Sequence, residues 1–338
     1  MLGSGERSSA RVLFTGDRPN GPMHLGHYVG SIRNRLACQG QGEQYIMIAD
    51  HLALTDNIDD PGSIARNVVE VGLDYLATGI DPRLSTPFIQ STVLELAALT
   101  TLYMNLVSAS YILENPTKNE EVSRRGFGDD APAGMFTYSV SQVADITAFD
   151  ADSVPVGTDQ VPLVEFSAHL VRAFNERFGP VIVVPRAVVP PMGRLPGTDG
   201  RPKMGKSLGN AIYLSDAPDT VREKILGMAT RLTGTPDGEF DPAVSPPFLY
   251  LREFHPDSAE VDALEERYRS GVLSDDALRR AVLDAVETFL GPVRDRRRAY
   301  ADDPAQVMAM LHEGGDRARA KAAATYDRVK AAMGLRYP

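Results

Sequence analysis

Several common ingredients are scarce or missing from this 338-residue chain, and each gap removes a class of explanation. There is one cysteine, Cys38, so no disulfide framework staples the fold. Cys38 lies in a helical pattern without catalytic neighbours, which leaves it a small packed or surface thiol. No apolar run approaches the length that spans a bilayer. Residues 1–11 are polar and rich in Gly and Ser, without the apolar stretch of an export signal, so a cytoplasmic location is expected. An excess of cations is missing too: 35 Lys and Arg stand against 45 Asp and Glu, a formal net charge of -10. That balance argues against broad nonspecific binding to nucleic acid, and neither DNA nor a membrane is an expected partner. No cluster of metal-ligand type appears in the sequence, so no protein-held metal is expected.

What remains alternates between two periods. Strand-like runs fall at Val12–Thr15, Gln44–Ala49, Thr86–Ile89 and Val181–Val184, with helical patterns between them, as at Ser63–Thr78, Leu94–Ser108, Met135–Ala151 and Asp159–Phe174. Alternation of this kind means an α/β fold, a parallel sheet with helices on both faces and ligands beyond the carboxyl ends of the strands. Strand signals stop near Ala217. Residues 217–230, 257–270, 274–291 and 293–301 read as helices with turn-rich linkers such as Thr233–Pro247, and Ala305–Met333 as a last helix broken at Gly314-Gly315. Residues 116–134 are polar and read as a loop, where Arg124 and Arg125 are candidates for a nucleic-acid backbone.

Two short motifs carry the chemistry. Val12-Leu13-Phe14-Thr15 is a buried-strand pattern, and Asp17-Arg18-Pro19-Asn20-Gly21-Pro22 forces a turn. Helical spacing begins at Leu25, so His24 and His27 share one face of a first helical turn. A helix N-terminus offers N–H groups and a positive dipole end, and two imidazoles add donors suited to a triphosphate. Gly26 leaves room for a flat ring against the backbone. Taken alone, the pair is also consistent with a helix start bearing two surface histidines.

The second motif is Lys203-Met204-Gly205-Lys206-Ser207, in a stretch punctuated by Gly193, Gly197, Gly200, Gly205 and Gly209. Two lysines three apart give point charges on flexible stems, a phosphate-binding device, although an isolated pair is equally a solvated basic turn. Gly200 to Ser207 matches the P-loop spacing, but Pro190-Pro191-Met192-Gly193-Arg194-Leu195-Pro196-Gly197 before it is no strand, so the P-loop is rejected.

The histidine and lysine motifs together resemble the signature pair of class I aminoacyl-tRNA synthetases, whose nucleotide domain is a Rossmann-like doubly wound parallel sheet. Phe14 to Gly21 with Tyr28-Val29-Gly30, Tyr138 to Ile146, Val154 to Gln160, and the end of the chain with Glu313-Gly314 and Ala331 to Leu335 are similar to the tryptophan-specific branch, over nearly the whole length. The resemblance implies a tryptophan–tRNA ligase of protein biosynthesis that uses ATP and Mg2+ and works as a homodimer on L-tryptophan and tRNA(Trp). It implies domains at 1–216 (catalytic) and 217–303 (helical, anticodon-binding), with 304–338 packing back on the first. His24, His27, Lys203 and Lys206 would be catalytic. Arg18, Asn20, Gly26, His27, Gly157, Thr158, Asp159, Leu195, Lys203, Met204, Gly205, Lys206 and Ser207 would contact ATP. Phe14, Gly16, Leu52, Tyr138, Gln142, Asp145, Val154, Val156 and Gln160 would surround tryptophan, with Asp145 accepting the indole N–H. Asp145 makes independent physical sense, because an ionised carboxylate in the apolar run Val143-Ala144-Asp145-Ile146 needs a donor. A surface aspartate like Asp150 or Asp152 is the alternative.

The chain departs from the family pattern in places. Arg18 stands where Gln is frequent, Leu52 where a polar pocket residue is frequent, Gln142 where Met is frequent, and Gly205 where Ser is commoner. The set resembles the divergent auxiliary copies found in some bacteria, which can be less sensitive to tryptophan-mimicking inhibitors. The chain itself contains no tryptophan, which is consistent with an enzyme made when that amino acid is scarce and equally with chance in one sequence. Basic residues Arg294, Arg296, Arg297 and Arg298, and Arg317, Arg319, Lys321, Arg328 and Lys330, would line a face for tRNA or be solvated helix faces. The apolar stretch Leu94–Tyr111 is a candidate dimer interface or a buried core helix. Alternatives to the leading reading are the tyrosine-specific relative, a small-molecule adenylyltransferase and a non-catalytic regulatory paralogue.

Overall fold

The computed structural model describes residues 11–113, 132–189, 194–231 and 241–337. Arg124 and Arg125 lie outside the described residues. Five strands form one parallel sheet: β1 (Val12–Asp17), β2 (Glu43–Ile48), β3 (Thr86–Ile89), β4 (Ser153–Pro155) and β5 (Arg186–Val188), in the order β3-β2-β1-β4-β5. The order reverses between β1 and β4, which opens a crevice beyond their carboxyl ends. Two apolar cores flank the sheet. Ile46 and Ile48 face one with Leu25, Val29 and Val68, while Tyr45 and Met47 face the other with Phe14, Phe149 and Val143. Both faces are covered, which is why β2 reads as an almost unbroken apolar run.

Helix α1 follows β1 and covers 25–38, with a wider π-type turn at Tyr28–Ile32. Then come α2 (Asp50–Asn57), α3 (Pro61–Thr78), α4 (Glu95–Tyr103), α5 (Ala109–Leu113), α6 (Ala133–Thr147) and α7 (Val161–Phe178). The C-terminal part is helical: α8 (Pro218–Leu226), α9 (Pro246–Phe254), α10 (Ser258–Arg269), α11 (Asp275–Ala301) and α12 (Pro304–Ala332). Its apolar residues Phe248, Tyr250, Val282 and Leu290 belong to the same core as Leu25 and Ile46. Among the described residues no helix is long and apolar enough to cross a membrane.

The structure corrects several expectations. Val181–Val184 is not a strand. The side chain of Asn175 takes the N–H groups of Val181 and Ile182 at 3.0 Å and donates to the Ile182 carbonyl at 2.7 Å, so this backbone is satisfied without a sheet. The strand starts at Arg186, and β4, only three residues long, was not visible in the periodicity. The expected helix Leu94–Ser108 is only α4 and ends at Tyr103; after a turn, α5 begins beyond it at Ala109. The linker at Thr233–Pro247 hides the start of α9, whose prolines sit in the first turn, where a missing N–H is harmless. Helix α11 runs through Gly291-Pro292, because Leu290 and Val293 on either side are buried and packing overrides propensity.

Helix α12 likewise does not break at Gly314-Gly315. A Cβ on Gly314 would stand 1.8 Å from the carbonyl oxygen of Pro87 in β3, and one on Gly315 2.7 Å from Thr92 Oγ1. The glycines let the helix backbone lie directly on the sheet. Gly314→Ala should therefore destabilise the fold by about 2 kcal/mol or more. Gly291→Ala, which meets nothing within 4 Å, should stabilise it by roughly 0.5 kcal/mol through helix propensity. Urea unfolding of both variants checks this; similar midpoints would show that close approach is not what the glycine pair serves.

Candidate functional site

Strand β1 ends at the crevice, and its last residue is anchored first. Asp17 accepts from the buried Arg35 at 2.5 Å and from the Tyr75 hydroxyl at 2.6 Å. Burial works to raise the Asp17 carboxyl, but Arg35 and Tyr75 outweigh it and hold the group below its usual range. The next turn is clamped from α2: Asp56 accepts from Arg18 at 3.2 Å and Asn20 at 2.6 Å, while Asn57 donates to Asn20 at 2.9 Å. Gly21 completes the turn with φ 114°.

His24 stands in extended backbone just ahead of α1. Its N–H donates to Nδ1 of His27 at 3.1 Å. An accepting Nδ1 means a neutral His27 ring whose proton is on Nε2, a donor. The two rings are 3.8 Å apart. Burial pushes His27 down to about 4, against Asp17 and with help from Lys206, Arg35 and Lys203. Burial, then His27 and the two lysines, pushes His24 down to about 2. Both imidazoles are therefore neutral donors at pH 7.

The lysine segment is brought to them by backbone pairing. Leu25 N–H donates to the Ile212 carbonyl at 2.9 Å, and Leu214 N–H to the Met23 carbonyl at 2.9 Å, an antiparallel bridge about His24 and Tyr213. Asn210, buried within the loop, accepts from Gly205 N–H at 2.9 Å and donates to Asp199 at 2.8 Å and the Lys203 carbonyl at 3.2 Å. Met204 N–H reaches the Leu195 carbonyl at 3.2 Å, and its sulfur lies 3.4 Å from Gly26 N. Lys206 opens a short 3-10 turn and donates to the Gly21 carbonyl at 2.7 Å. Burial lowers its ammonium to about 8, with Asp17 and Asp74 opposing. The cleft between the two motifs is about 440 Å³ and is lined by Arg18, Asn20, His24, Gly26, His27, Leu195, Lys203, Met204, Gly205 and Lys206, with Asp17, Gly30, Ser31 and Arg194. Among the described residues 194–205 there is no strand, in keeping with the rejection of a P-loop.

The other expected residues fall in two groups. Asp145 is 2% exposed rather than on the helix surface. The Gln90 amide donates to its two oxygens at 3.0 and 3.1 Å, and Gln90 in turn accepts from Leu52 N–H at 3.3 Å. Burial raises the Asp145 carboxyl to about 7, Gln90 opposing. Arg18 lies over the Tyr138 ring at 5.6 Å, which joins α6 to the cleft. Gln142 sits half-buried one turn before Asp145. Phe14 and Val154 are core residues, Phe14 stacked 5.7 Å from Phe149. Gly16 abuts Met47, and Val156 packs partly buried beside the same core. Gly157 precedes a 3-10 turn over Thr158–Gln160. Thr158 and Ser207 are exposed, Gln160 is half-buried, and the side chain of Asp159 lies outside the described residues.

The residues that aim the others were not among the expected ones: Arg35 and Tyr75, Asp56 and Asn57, Gln90 and Asn210. Gln90 could have been found as a polar residue directly after an apolar strand. The rest act across 18 to 58 positions or within a loop, and leave no periodic trace. The basic clusters are paired inside the chain: Arg297 with Glu70 and Asp74, Arg294 with Glu287, Arg298 with Asp295, Arg319 with Glu95, Arg328 with Asp150 and Lys330 with Asp327, while Arg296 donates to the Ala77 carbonyl.

Residues 7–291 match the family tRNA synthetases class I (W and Y). The chain is 45% identical over 337 residues to the tryptophan--tRNA ligase of Streptococcus agalactiae serotype V, covering 96% of this chain and 98% of that protein. It is 44% identical over 337 residues to the enzyme of that name from Streptococcus pneumoniae serotype 4, with the same coverage. A crystal structure of tryptophanyl-tRNA synthetase from Campylobacter jejuni, complexed with ADP and tryptophan, is similar with a TM-score of 0.83 at 26% identity, over 96% of this chain and 100% of that one.

A buried carboxyl raised to about 7 binds its proton more tightly in the folded chain than in the unfolded one. Its ionisation opposes folding above that pH, and the penalty is relieved as pH falls through 7. Relative to an Asp145→Asn variant, the ligand-free wild type should gain roughly 1 kcal/mol of stability per pH unit between pH 7 and pH 5. Urea melts at three pH values measure it. A difference that does not change with pH would place Asp145 in contact with water or with a cation.

Proposed function

The chain belongs to the class I tRNA synthetases for tryptophan and tyrosine, and from that premise we propose how it works as a tryptophan--tRNA ligase. The observation that carries the proposal is the cleft in which His24 and His27 meet Lys203 and Lys206 from a segment some 180 residues away. A site of neutral N–H donors on one wall and ammonium groups on the other suits a triphosphate that becomes more negative at one end during reaction.

In the first step a carboxylate oxygen of L-tryptophan attacks the α-phosphorus of ATP. A P–O bond forms, the bond to the β-phosphate oxygen breaks, and pyrophosphate leaves with the electron pair. No protein nucleophile is needed; position and charge stabilisation suffice. His24 and His27 donate to the phosphates, and Lys206 exchanges the Gly21 carbonyl for the β- and γ-phosphates, with Lys203 beside it. Arg18 and Asn20, held by Asp56, face the same groups. Gly26 and Leu195 take the adenine, Gly157, Thr158 and Asp159 the ribose, and Met204, Gly205 and Ser207 close the loop over the nucleotide. Mg2+ would be bound as the Mg·ATP complex, where it would offset charge on the phosphates. In the second step a ribose hydroxyl of the terminal adenosine of tRNA(Trp) attacks the acyl carbon, and AMP leaves.

Asp145, fixed by Gln90, accepts the indole N–H, and Tyr138 and Gln160 hold the α-amino group. Leu52, Gln142, Gly16, Phe14, Val154 and Val156 shape the pocket. A site built on a hydrogen bond to the substrate rejects analogues that lack it far better than an apolar pocket does. We assign 1–216 to catalysis, 217–303 to the anticodon and 304–338 to packing back against the sheet, which the contact of Gly314 with Pro87 supports. The enzyme acts as a cytoplasmic homodimer, and the exposure of Leu94, Met104 and Leu113 favours α4 and α5 as its interface.

Two outcomes are expected. Pyrophosphate exchange should depend on tryptophan and not on tyrosine; the reverse would assign the chain to the tyrosine-specific branch. Lys206→Ala should slow exchange by about 10²–10⁴-fold, on the order of 3–5 kcal/mol of transition-state stabilisation. Tryptophan binding should survive in that variant. The chain has no tryptophan, so the fluorescence of the bound ligand is read directly, and unchanged exchange would remove the loop from the mechanism. We further propose that Arg18 and Leu52 mark an auxiliary-type enzyme, less sensitive to an indole-based tryptophan mimic than an ordinary bacterial counterpart. Equal inhibition constants for the two enzymes would refute this.

A further inference from the structure

The peptide that sets His24 is gripped by a carboxylate that the phosphate chemistry does not call for. Met23 N–H donates to Oδ2 of Asp74 at 2.8 Å. Asp74, near the end of α3, is 0% exposed. Its Oδ1 accepts from Arg297 Nε at 2.8 Å, and Arg297 also pairs with Glu70, one turn earlier on α3. Arg296, the neighbouring residue, donates to the Ala77 carbonyl at 2.6 Å. Both arginines ride on α11, from the C-terminal helical part. On the other side of the same residue, the Met23 carbonyl accepts from Leu214 N–H, just beyond the lysine loop. Met23 is thus the point where α3, α11, the histidine motif and the lysine loop are joined by hydrogen bonds.

A buried carboxylate placed on a backbone N–H is costly unless a second partner offsets its desolvation, and here that partner comes from another part of the chain. Burial pushes the Asp74 carboxyl up, and Arg297 acts against this. An apolar residue of similar size would pack with less penalty but would release the Met23 amide.

We infer that Asp74 is a positioning residue for the ATP step: it holds the Met23 amide, and through it His24, in register, and Arg297 makes that register depend on the seating of α11. The inference rests on His24 being a phosphate contact. A displacement of α11 reaches His24 through a guanidinium, a carboxylate and one peptide, so the C-terminal helices have a short route to the nucleotide.

The test compares two variants in which the buried charge pair is removed alike. Asp74→Asn with Arg297→Gln keeps an oxygen for Met23 N–H; Asp74→Leu with Arg297→Gln does not. Tryptophan-dependent pyrophosphate exchange is measured with ATP varied, rates are normalised to the burst of adenylate formed, and tryptophan Kd is read from ligand fluorescence. The asparagine pair should exceed the leucine pair at least tenfold in kcat/KM for ATP, with tryptophan Kd within twofold between them. Equal kcat/KM values would overturn the inference, as would a parallel loss of tryptophan binding, which marks general loosening. Arg297→Lys alone, which keeps the charge but loses the planar fork, gives a second arm that does not depend on the double variants folding. It should lower kcat/KM for ATP three- to tenfold at unchanged tryptophan Kd, and wild-type kinetics would break the link to α11. His24→Ala, measured alongside, separates the two readings: wild-type ATP kinetics there would sink the phosphate role of His24 itself.

Discussion

Two backbone hydrogen bonds carry the architecture of the site: Leu25 N–H to Ile212, and Leu214 N–H to Met23. They seat a lysine-bearing loop against the start of α1, across a sequence gap that no local preference could close. Backbone pairing is indifferent to side-chain identity, so it fixes the distance between the two motifs without using any of the groups that face the cleft. The imidazoles and ammonium groups remain available as donors. Burial pushes Lys206 and the two histidines toward their neutral forms, the lysines adding to this at both imidazoles and His27 at His24. A polyanion entering this cleft would reverse that push, so the site is arranged for a charge it does not itself supply.

Behind the cleft lies a layer of polar residues whose work is orientation. Asp56 clamps Arg18 and Asn20, Asn210 shapes the turn that presents Lys203 and Lys206, Gln90 aims Asp145, and Asp74 steadies Met23. Each uses a side chain where a backbone partner was out of reach. Most are buried or half-buried, so their hydrogen bonds persist instead of exchanging with water. The basic residues of the C-terminal helices serve a similar end. They tie the C-terminal helices to the rest of the catalytic layer through ion pairs and carbonyl contacts.

How much of this was legible in the sequence depended on range. Strands β1, β2 and β3 and the long helices announced themselves, because their apolar periods are set by burial within each element. The two histidines and two lysines that share the cleft were legible from residue type and order. Asp145 was legible because a carboxylate in an apolar run needs an explanation, although Gln90, which supplies it, was not. What escaped was decided by distant partners. Val181–Val184 has strand composition, yet Asn175 satisfies its backbone; Pro292 and Gly314 have the chemistry of helix breakers, yet packing carries both helices through. A local breaker costs a fixed amount, and a buried neighbour on either side outweighs it.

Helix α12 has a consequence of another kind. Strand β3 is one of the two outer strands of the sheet, and α12 lies across it with Val307 and Leu311 in one core and Ala318, Ala322 and Val329 in the other. The helix that begins at Pro304 is therefore a lid on an adhesive border, the row of amide and carbonyl groups that would otherwise recruit a foreign strand. During synthesis that border stays bare until nearly every other element has left the ribosome, so the nascent chain passes through a long interval in which self-association competes with completion.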